Sequence, residues 1–272
     1  MAGVIRNIAV FSKKNNEAAE DAACYITKLL TDAGIGVFCI AMSNENDTSI
    51  GFHEFQKMNV DMIFAMGGDG TTLRALRIIP YNVPLFSINV GGHRGILSEA
   101  TMDHIEQTIA DILNGNYSIE SSIRISTTLN GVSLPPALND ILFCRSNMTR
   151  TPTISIRFNN DIIIQKMDGL ILSTPIGSTG HSLSLGGPIV HELLDCFILS
   201  PIAPLSRIPK LIIDPREIEI SSNYKMQLIL DGQKVYQINE QDRIRIELSC
   251  FKANFIRLRK KGFRQIEKLG FK

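Results

Sequence analysis

Met62-Ile63-Phe64-Ala65-Met66-Gly67-Gly68-Asp69-Gly70-Thr71-Thr72 is a run of five apolar residues, a glycine turn holding an acid, and two hydroxyl residues. The apolar run is too short for a helix of its own and fits a strand buried on both faces. Leu73-Arg74-Ala75-Leu76-Arg77 follows as strong helix-forming sequence, with the two threonines expected as its caps. A buried strand, a glycine turn and a helix start present bare backbone N–H groups at the positive end of a helix dipole, which suits a phosphate. Asp69 is out of place there unless it takes a proton or holds a metal through water, so the turn points to phosphoryl transfer. A tight turn whose acid caps the helix also accounts for Asp69, although two adjacent glycines exceed what capping requires. Arg74, one turn later, either steadies a phosphate or reaches out to solvent. The GxxxxGK[ST] spacing is absent, so this is not a Walker A loop.

Strand and helix signals alternate around this stretch over the first ~115 residues. Ile5 to Phe11, Ile35 to Ala41 and Leu85 to Val90 read as strands. Asn16 to Ala33 reads as a helix ended by Gly34, Thr72 to Ile79 as one stopped by Pro80, and His104 to Leu113 as one closed by Asn114-Gly115. Such alternation predicts a parallel, doubly wound α/β sheet with ligands at the carboxyl ends of its strands, where Gly67 to Thr71 and Gly91-Gly92 fall. Beyond Tyr117 the period changes to two, in Ile123 to Ser126, Thr153 to Phe158, Ile218 to Ile220 and Arg243 to Leu248. Asn130-Gly131 and Asn159-Asn160 separate these runs as turns. The expected organisation is therefore an α/β domain over residues 1–118 and a β-rich domain over 119–272, with the last residues packing back on the first.

The second region has its own dense polar block. Residues 168–188 read DGLILSTPIGSTGHSLSLGGP, a strand running into small hydroxyl residues and glycines. This offers close, uncharged hydrogen bonding of the kind a ribose or a base edge accepts, and an extended structural loop is an equal alternative. Asn139-Asp140 lies among apolar residues, where an amide and a carboxylate are costly without a partner or ligand. Asp231-Gly232-Gln233 is first of all a hairpin turn.

Composition bounds the partners. Twenty-eight Lys and Arg against 27 Asp and Glu give a net charge of +1, which offers no electrostatic reason for nucleic acid or an anionic membrane as partner. The five cysteines are scattered without a CxxC pair, which argues against a disulfide framework and a zinc site. With no signal peptide and no apolar run long enough for a bilayer, a cytoplasmic protein is expected.

GGDGT at 67–71, GHRGIL at 92–97, Asn139-Asp140, the block at 168–188 and DGQ at 231–233 follow one another in the order found in NAD kinases. The chain resembles that family over nearly its full length. GGDGT alone is shared with lipid kinases and phosphofructokinases, whereas the STPxGST block is far more specific. The resemblance implies a Rossmann-like N-terminal domain and a β-sandwich C-terminal domain, assembled as a homodimer or homotetramer. It implies phosphoryl transfer from ATP, or polyphosphate, to the 2′-hydroxyl of the adenosine ribose of NAD, with Mg²⁺. Asp69 would be the general base, and Gly67, Gly68, Gly70 and Thr71 would hold phosphates, with Arg74 beside them. Asn139 and Asp140 would bind the adenine or ribose. Asp168, Ser178, Thr179, Gly180, His181 and Ser184 would line the dinucleotide site, some of them from a neighbouring subunit. The chain departs from the family pattern at Ile96 (usually Phe), Asp140 (Glu), Ile176 (Thr), Gly180 (Ala), His181 (Tyr) and Leu205 (His), which marks altered dinucleotide contacts. A related kinase acting on a lipid or nucleoside, or an NAD-binding sensor without turnover, are the alternatives.

Overall fold

The computed structural model describes residues 5–42, 55, 57–78, 83–91, 95–259 and 263–270. Ile79 and Pro80, read as the end of a helix, and Gly92, His93 and Arg94 of the second motif lie outside the described residues. The chain divides into two compact units, Met1–Ser121 with Ala253–Gly262, and Ser122–Lys252 with Phe263–Lys272.

The first unit is the α/β one. Its elements run β1 (Asn7–Lys13), α1 (Glu17–Asp32), β2 (Gly36–Met42), β3 (Met62–Met66), α2 (Asp69–Ile78), β4 (Leu85–Asn89), β5 (Ala100–Thr101), α3 (Ile105–Leu113) and β6 (Ser118–Ser122). The pairs β1 with β2, β1 with β3 and β3 with β4 are all parallel. Every residue of β3 and β4 is buried, Ser87 and Asn89 of β4 included, as in strands covered on both faces. The sheet order β2-β1-β3-β4 means that the chain leaves β1 toward one edge and returns on its other side. The carboxyl ends of β1 and β3 therefore form the switch point where open α/β sheets bind ligands. The C-terminal strand Ala253–Arg257 extends this sheet in parallel beside β4, with β6 beyond it.

The helices follow their capping signals closely, with one correction. Asn16 caps α1 by accepting from the Ala19 N–H at 2.9 Å, and Gly34 closes it at φ +80°. The helix expected from Thr72 starts instead at Asp69, and the threonine hydroxyls are not its caps. The Gly68 carbonyl accepts from the N–H groups of Thr71 and Thr72, and the Thr72 hydroxyl lies 2.6 Å from the Ser87 hydroxyl. Tight approach of α2 to β4 gave that hydroxyl a buried partner across the layer.

The second unit is antiparallel. Its elements are β7 (Ile125–Leu129), β8 (Val132–Ser133), β9 (Asp140–Arg145), β10 (Thr153–Phe158), β11 (Asp161–Lys166), β12 (Gly169–Ser173), α4 (His181–Ser184), β13 (Phe197–Ile202), β14 (Leu211–Ile213), β15 (Ile218–Ser222), β16 (Met226–Leu230), β17 (Lys234–Ile238), β18 (Ile244–Leu248) and α5 (Arg264–Lys268). Two six-stranded sheets result, β11-β10-β15-β18-β7-β8 and β14-β13-β12-β9-β16-β17. Ile154, Ile156, Ile218, Ile220, Ile244 and Ile246 of the first share one core with Phe143, Leu170, Leu172, Phe197, Leu199 and Leu228 of the second. These are the inward residues of period-two strands, so the unit is a β-sandwich. Asn130-Gly131 (φ +51° and +82°) and Asp231-Gly232 (φ +50° and +64°) turn their hairpins in left-handed conformations, as the twist of the flanking strands demands. The strand read across Ile123 to Ser126 is broken. β6 ends at Ser122 and β7 starts at Ile125, and Arg124 is buried in the gap with its guanidinium donating to the Pro136 carbonyl at 2.8 Å.

Candidate functional site

In the first unit, an open cleft of about 430 Å³ lies at the switch point, lined by Lys13, Asn16, Gly67, Gly68, Thr71 and Gly91 among others. Lys13 ends β1, Asn16 caps α1, and Gly67-Gly68 joins β3 to α2, so two helix N-termini border the space. Gly67 adopts φ +147°, and a Cβ there would collide with the Thr71 hydroxyl. At Gly68 a Cβ would meet nothing within 4 Å, so the backbone there stays open to a ligand. Helix-end amides, a glycine turn and a lysine ammonium give the cleft the chemistry of an anion site.

Asp69 opens α2 directly after Gly68. Its Oδ2 accepts from the Ile96 N–H at 2.8 Å and its Oδ1 from the Leu97 N–H at 2.9 Å. The acid therefore grips the turn after β4 rather than capping its own helix. Each carboxylate oxygen keeps a further lone pair, so the group retains capacity for a donor such as a substrate hydroxyl. Gly70 is the exposed second residue of α2, and Arg74 is half-buried one turn on.

In the second unit, Asn139, Asp140, Ser178, Thr179 and Gly180 come together. The Thr174 N–H donates to the Asn139 carbonyl at 2.9 Å, and the Thr174 hydroxyl to the Leu138 carbonyl at 2.6 Å. The block after β12 is not an extended loop. It coils into a tight helical turn, Ile176–Thr179, and continues into α4. A Cβ on Gly177 would collide with the Asn139 carbonyl, and one on Gly180 would lie 3.8 Å from the Asp140 carboxylate. Ser178 is fully buried. Its hydroxyl meets the Pro175 carbonyl at 2.6 Å, the Gln265 Oε1 at 3.0 Å and the Val190 N–H at 3.1 Å, so it holds the turn from within. His181 and Ser184, on α4, are exposed.

Asp231 supports the same cluster. Its carboxylate accepts from the N–H groups of Leu138, Asn139 and Asp140 at 3.0, 2.7 and 3.2 Å. Burial first, and the charge of Asp231 second, push the Asp140 carboxyl up to about 7. Asp140 therefore changes charge near neutrality, a property its sequence neighbours hint at only through their apolarity.

Asp168 is not brought to this cluster. It precedes β12, whose far end carries Ser173 opposite Asp140. Five strand residues at ~3.3 Å each put it ~17 Å away. Its carboxylate pairs instead with Arg145 at 3.0 Å. Sequence reasoning missed Lys13, Thr174, Gly177 and Gln265. Lys13 was signalled by a strand, polar turn and helix at 7–32 that repeat the pattern at 62–78. Gln265 carried no signal at all. Among the described residues, no three His, Cys, Asp or Glu side chains gather as metal ligands, and no helix is long and apolar enough to cross a membrane.

Residues 8–117 match the family model described as the ATP-NAD kinase N-terminal domain, and residues 138–258 that of the ATP-NAD kinase C-terminal domain. The chain is 35% identical over 207 residues to an NAD kinase of Thermococcus sibiricus, covering 74% of this chain and 75% of that protein. It is 33% identical over 263 residues to the bifunctional NADP phosphatase/NAD kinase of Methanocaldococcus jannaschii, covering 90% of this chain but spanning only 44% of that protein. Among solved structures, an NAD kinase from Archaeoglobus fulgidus in complex with ATP superposes with a TM-score of 0.78 at 28% identity, over 97% of both chains.

Proposed function

The chain belongs to the NAD kinase family, and on that premise we propose that it transfers the γ-phosphoryl group of ATP to the 2′-hydroxyl of the adenosine ribose of NAD. The observation that carries the reading is the cleft at the β1–β3 switch point, with a glycine turn in its wall and Asp69 next in the chain. Gly67, Gly68, Gly70 and Thr71 form the turn that takes the donor phosphates, with the backbone open to a ligand at Gly68, Lys13 neutralises charge there, and Arg74 stands one turn away. Asp69 accepts the hydroxyl proton or orients the hydroxyl as it attacks, a role typically worth ~10²–10⁴-fold.

The dinucleotide is held by the second unit's cluster. Asn139 and Asp140 take the adenine or ribose, and Asp140, its carboxyl pushed up to about 7 by burial, can donate when protonated and accept when ionised. Thr179, Gly180, His181 and Ser184 supply further contacts from the turn and α4, and Ser178 keeps that turn in shape. His181 offers a small ring toward the nicotinamide half. Asp168, at the other end of β12, serves the site of a neighbouring copy in a homodimer or homotetramer.

A divalent cation would sit on the phosphates, and Asp69, whose two oxygens each accept one backbone N–H and keep one lone pair, would reach it through water. When bound, magnesium supplies charge neutralisation on the transferred phosphoryl group. Polyphosphate presents the same phosphate chemistry as ATP to the cleft.

Asp69→Asn is expected to keep the fold and abolish NADP formation from NAD, ATP and Mg²⁺, read with an NADP-specific dehydrogenase. Near-wild-type turnover in that variant would remove Asp69 from its role. Tight NAD binding by calorimetry without any NADP formed by the wild type would favour a sensor instead.

A further inference from the structure

We infer that the Gly95-Ile96-Leu97 turn is the device that aims the Asp69 carboxylate, with Gly95 as a positioning residue. The inference rests on the role proposed for Asp69. The turn belongs to the second sequence motif, to which the proposed reaction has otherwise given no work.

Two consecutive backbone N–H groups, those of Ile96 and Leu97, converge on one carboxylate, each on its own oxygen, at 2.8 and 2.9 Å. Successive amides pointing to one side form a small anion-binding nest. Two donors on two oxygens fix both the position and the rotation of the carboxylate, which a single bond would leave free to turn about its Cβ–Cγ axis. Each oxygen keeps one lone pair whose direction is then set.

The turn can come this close only because residue 95 has no side chain. A Cβ on Gly95 would collide with Asp69 Oδ1, and would lie 2.9 Å from Asp69 Cγ and 3.2 Å from the Asp69 N–H nitrogen. Turning the carboxylate aside clears the first contact but leaves the backbone one. A methyl group at 95 therefore moves the proposed base away from its amides without touching its chemistry. General-base work requires the acceptor within ~2.6–3.2 Å of the oxygen that carries the proton, and ~1 Å of misplacement costs on the order of 10²-fold.

The test compares Gly95→Ala, Asp69→Asn and the double variant with wild type in the NADP-forming assay, with circular dichroism and thermal midpoints to establish folding. A fourth protein carries a backbone ester at Leu97, which deletes the N–H facing Oδ1 and adds no bulk. The expected result is a kcat lowered ~10–100-fold in Gly95→Ala and lowered in the ester protein, with KM for NAD and for ATP held within about twofold. The double variant should be no slower than Asp69→Asn, since the two changes disable one function. Folded Gly95→Ala and ester proteins turning over within about twofold of wild type, while Asp69→Asn is inactive, would overturn the inference. So would a rise in KM for NAD with kcat intact, which would make the turn a substrate contact. If Gly95→Ala fails to fold, the ester protein alone decides. Full activity in Asp69→Asn would instead remove the base itself, and is thereby distinguished from failure of the turn to aim it.

Discussion

Asp140 and Asp231 are carboxylates of one cluster with opposite treatment. Asp231 accepts three backbone N–H groups, which favours its charge, whereas Asp140 is 7% exposed beside it and is pushed up to about 7. Because the folded value lies above the ordinary 3.8, the folded state holds a proton that the unfolded chain has released. Stability from this group is therefore complete below pH ~4 and is lost as pH rises through ~7, by on the order of 4 kcal/mol across that window. Asp140→Asn should flatten that slope, so that urea unfolding at pH 5 and pH 8 differs less in the variant than in wild type. An unchanged slope would place the titration elsewhere. The apolar surroundings of Asp140 could be read from the chain. Its neighbour Asp231 could not, because 91 residues separate them.

The turn Ile176–Thr179 is an element held by a residue from another. Gln265 of α5 is 3% exposed, and its amide donates to the Pro175 and Ile176 carbonyls at 2.6 and 3.1 Å while its oxygen accepts from Ser178 at 3.0 Å. Gln265→Ala strips those partners from buried groups and is expected to destabilise the protein by roughly 2–4 kcal/mol. A depressed thermal midpoint with a raised KM for NAD would fit, and a midpoint equal to wild type would show the bridge to be dispensable. The glycines and hydroxyls of this block were plain in the sequence. Their coiling was not, since it depends on Gly177 meeting the Asn139 carbonyl and on a glutamine 87 residues downstream.

At the scale of the whole chain, the strand Ala253–Arg257 returns to the first unit's sheet from near the end of the sequence. Arg257 anchors it. The guanidinium is buried at 3.2 Å from Glu99 and 3.2 Å from Glu120, and it stacks 4.7 Å over Phe255. The Leu258 N–H adds a bond to Glu99 at 3.1 Å. Removing one side of a buried ion pair typically costs ~3–5 kcal/mol, so Arg257→Ala should lower the guanidinium chloride midpoint markedly. Arg257→Met, which keeps the packing against Phe255, separates the lost charge from the lost volume. A midpoint unmoved in both would show that the network does not hold the strand.

The sequence by itself determined the two architectures, because hydrophobic period is a local property: continuous apolar runs before helices in one half, period-two alternation in the other. It also determined the glycine-framed acid at 67–71, since only glycine tolerates the φ of +147° found at Gly67. Tertiary structure alone decided what each acid meets. The amides of Ile96 and Leu97 lie 27 and 28 residues from Asp69, and those gripped by Asp231 lie 91 to 93 residues away. Backbone N–H groups are the same at every position, so no residue type marks in advance which of them will face a carboxylate. Only the pairing of β3 with β4 in the first unit and of β9 with β16 in the second put them there.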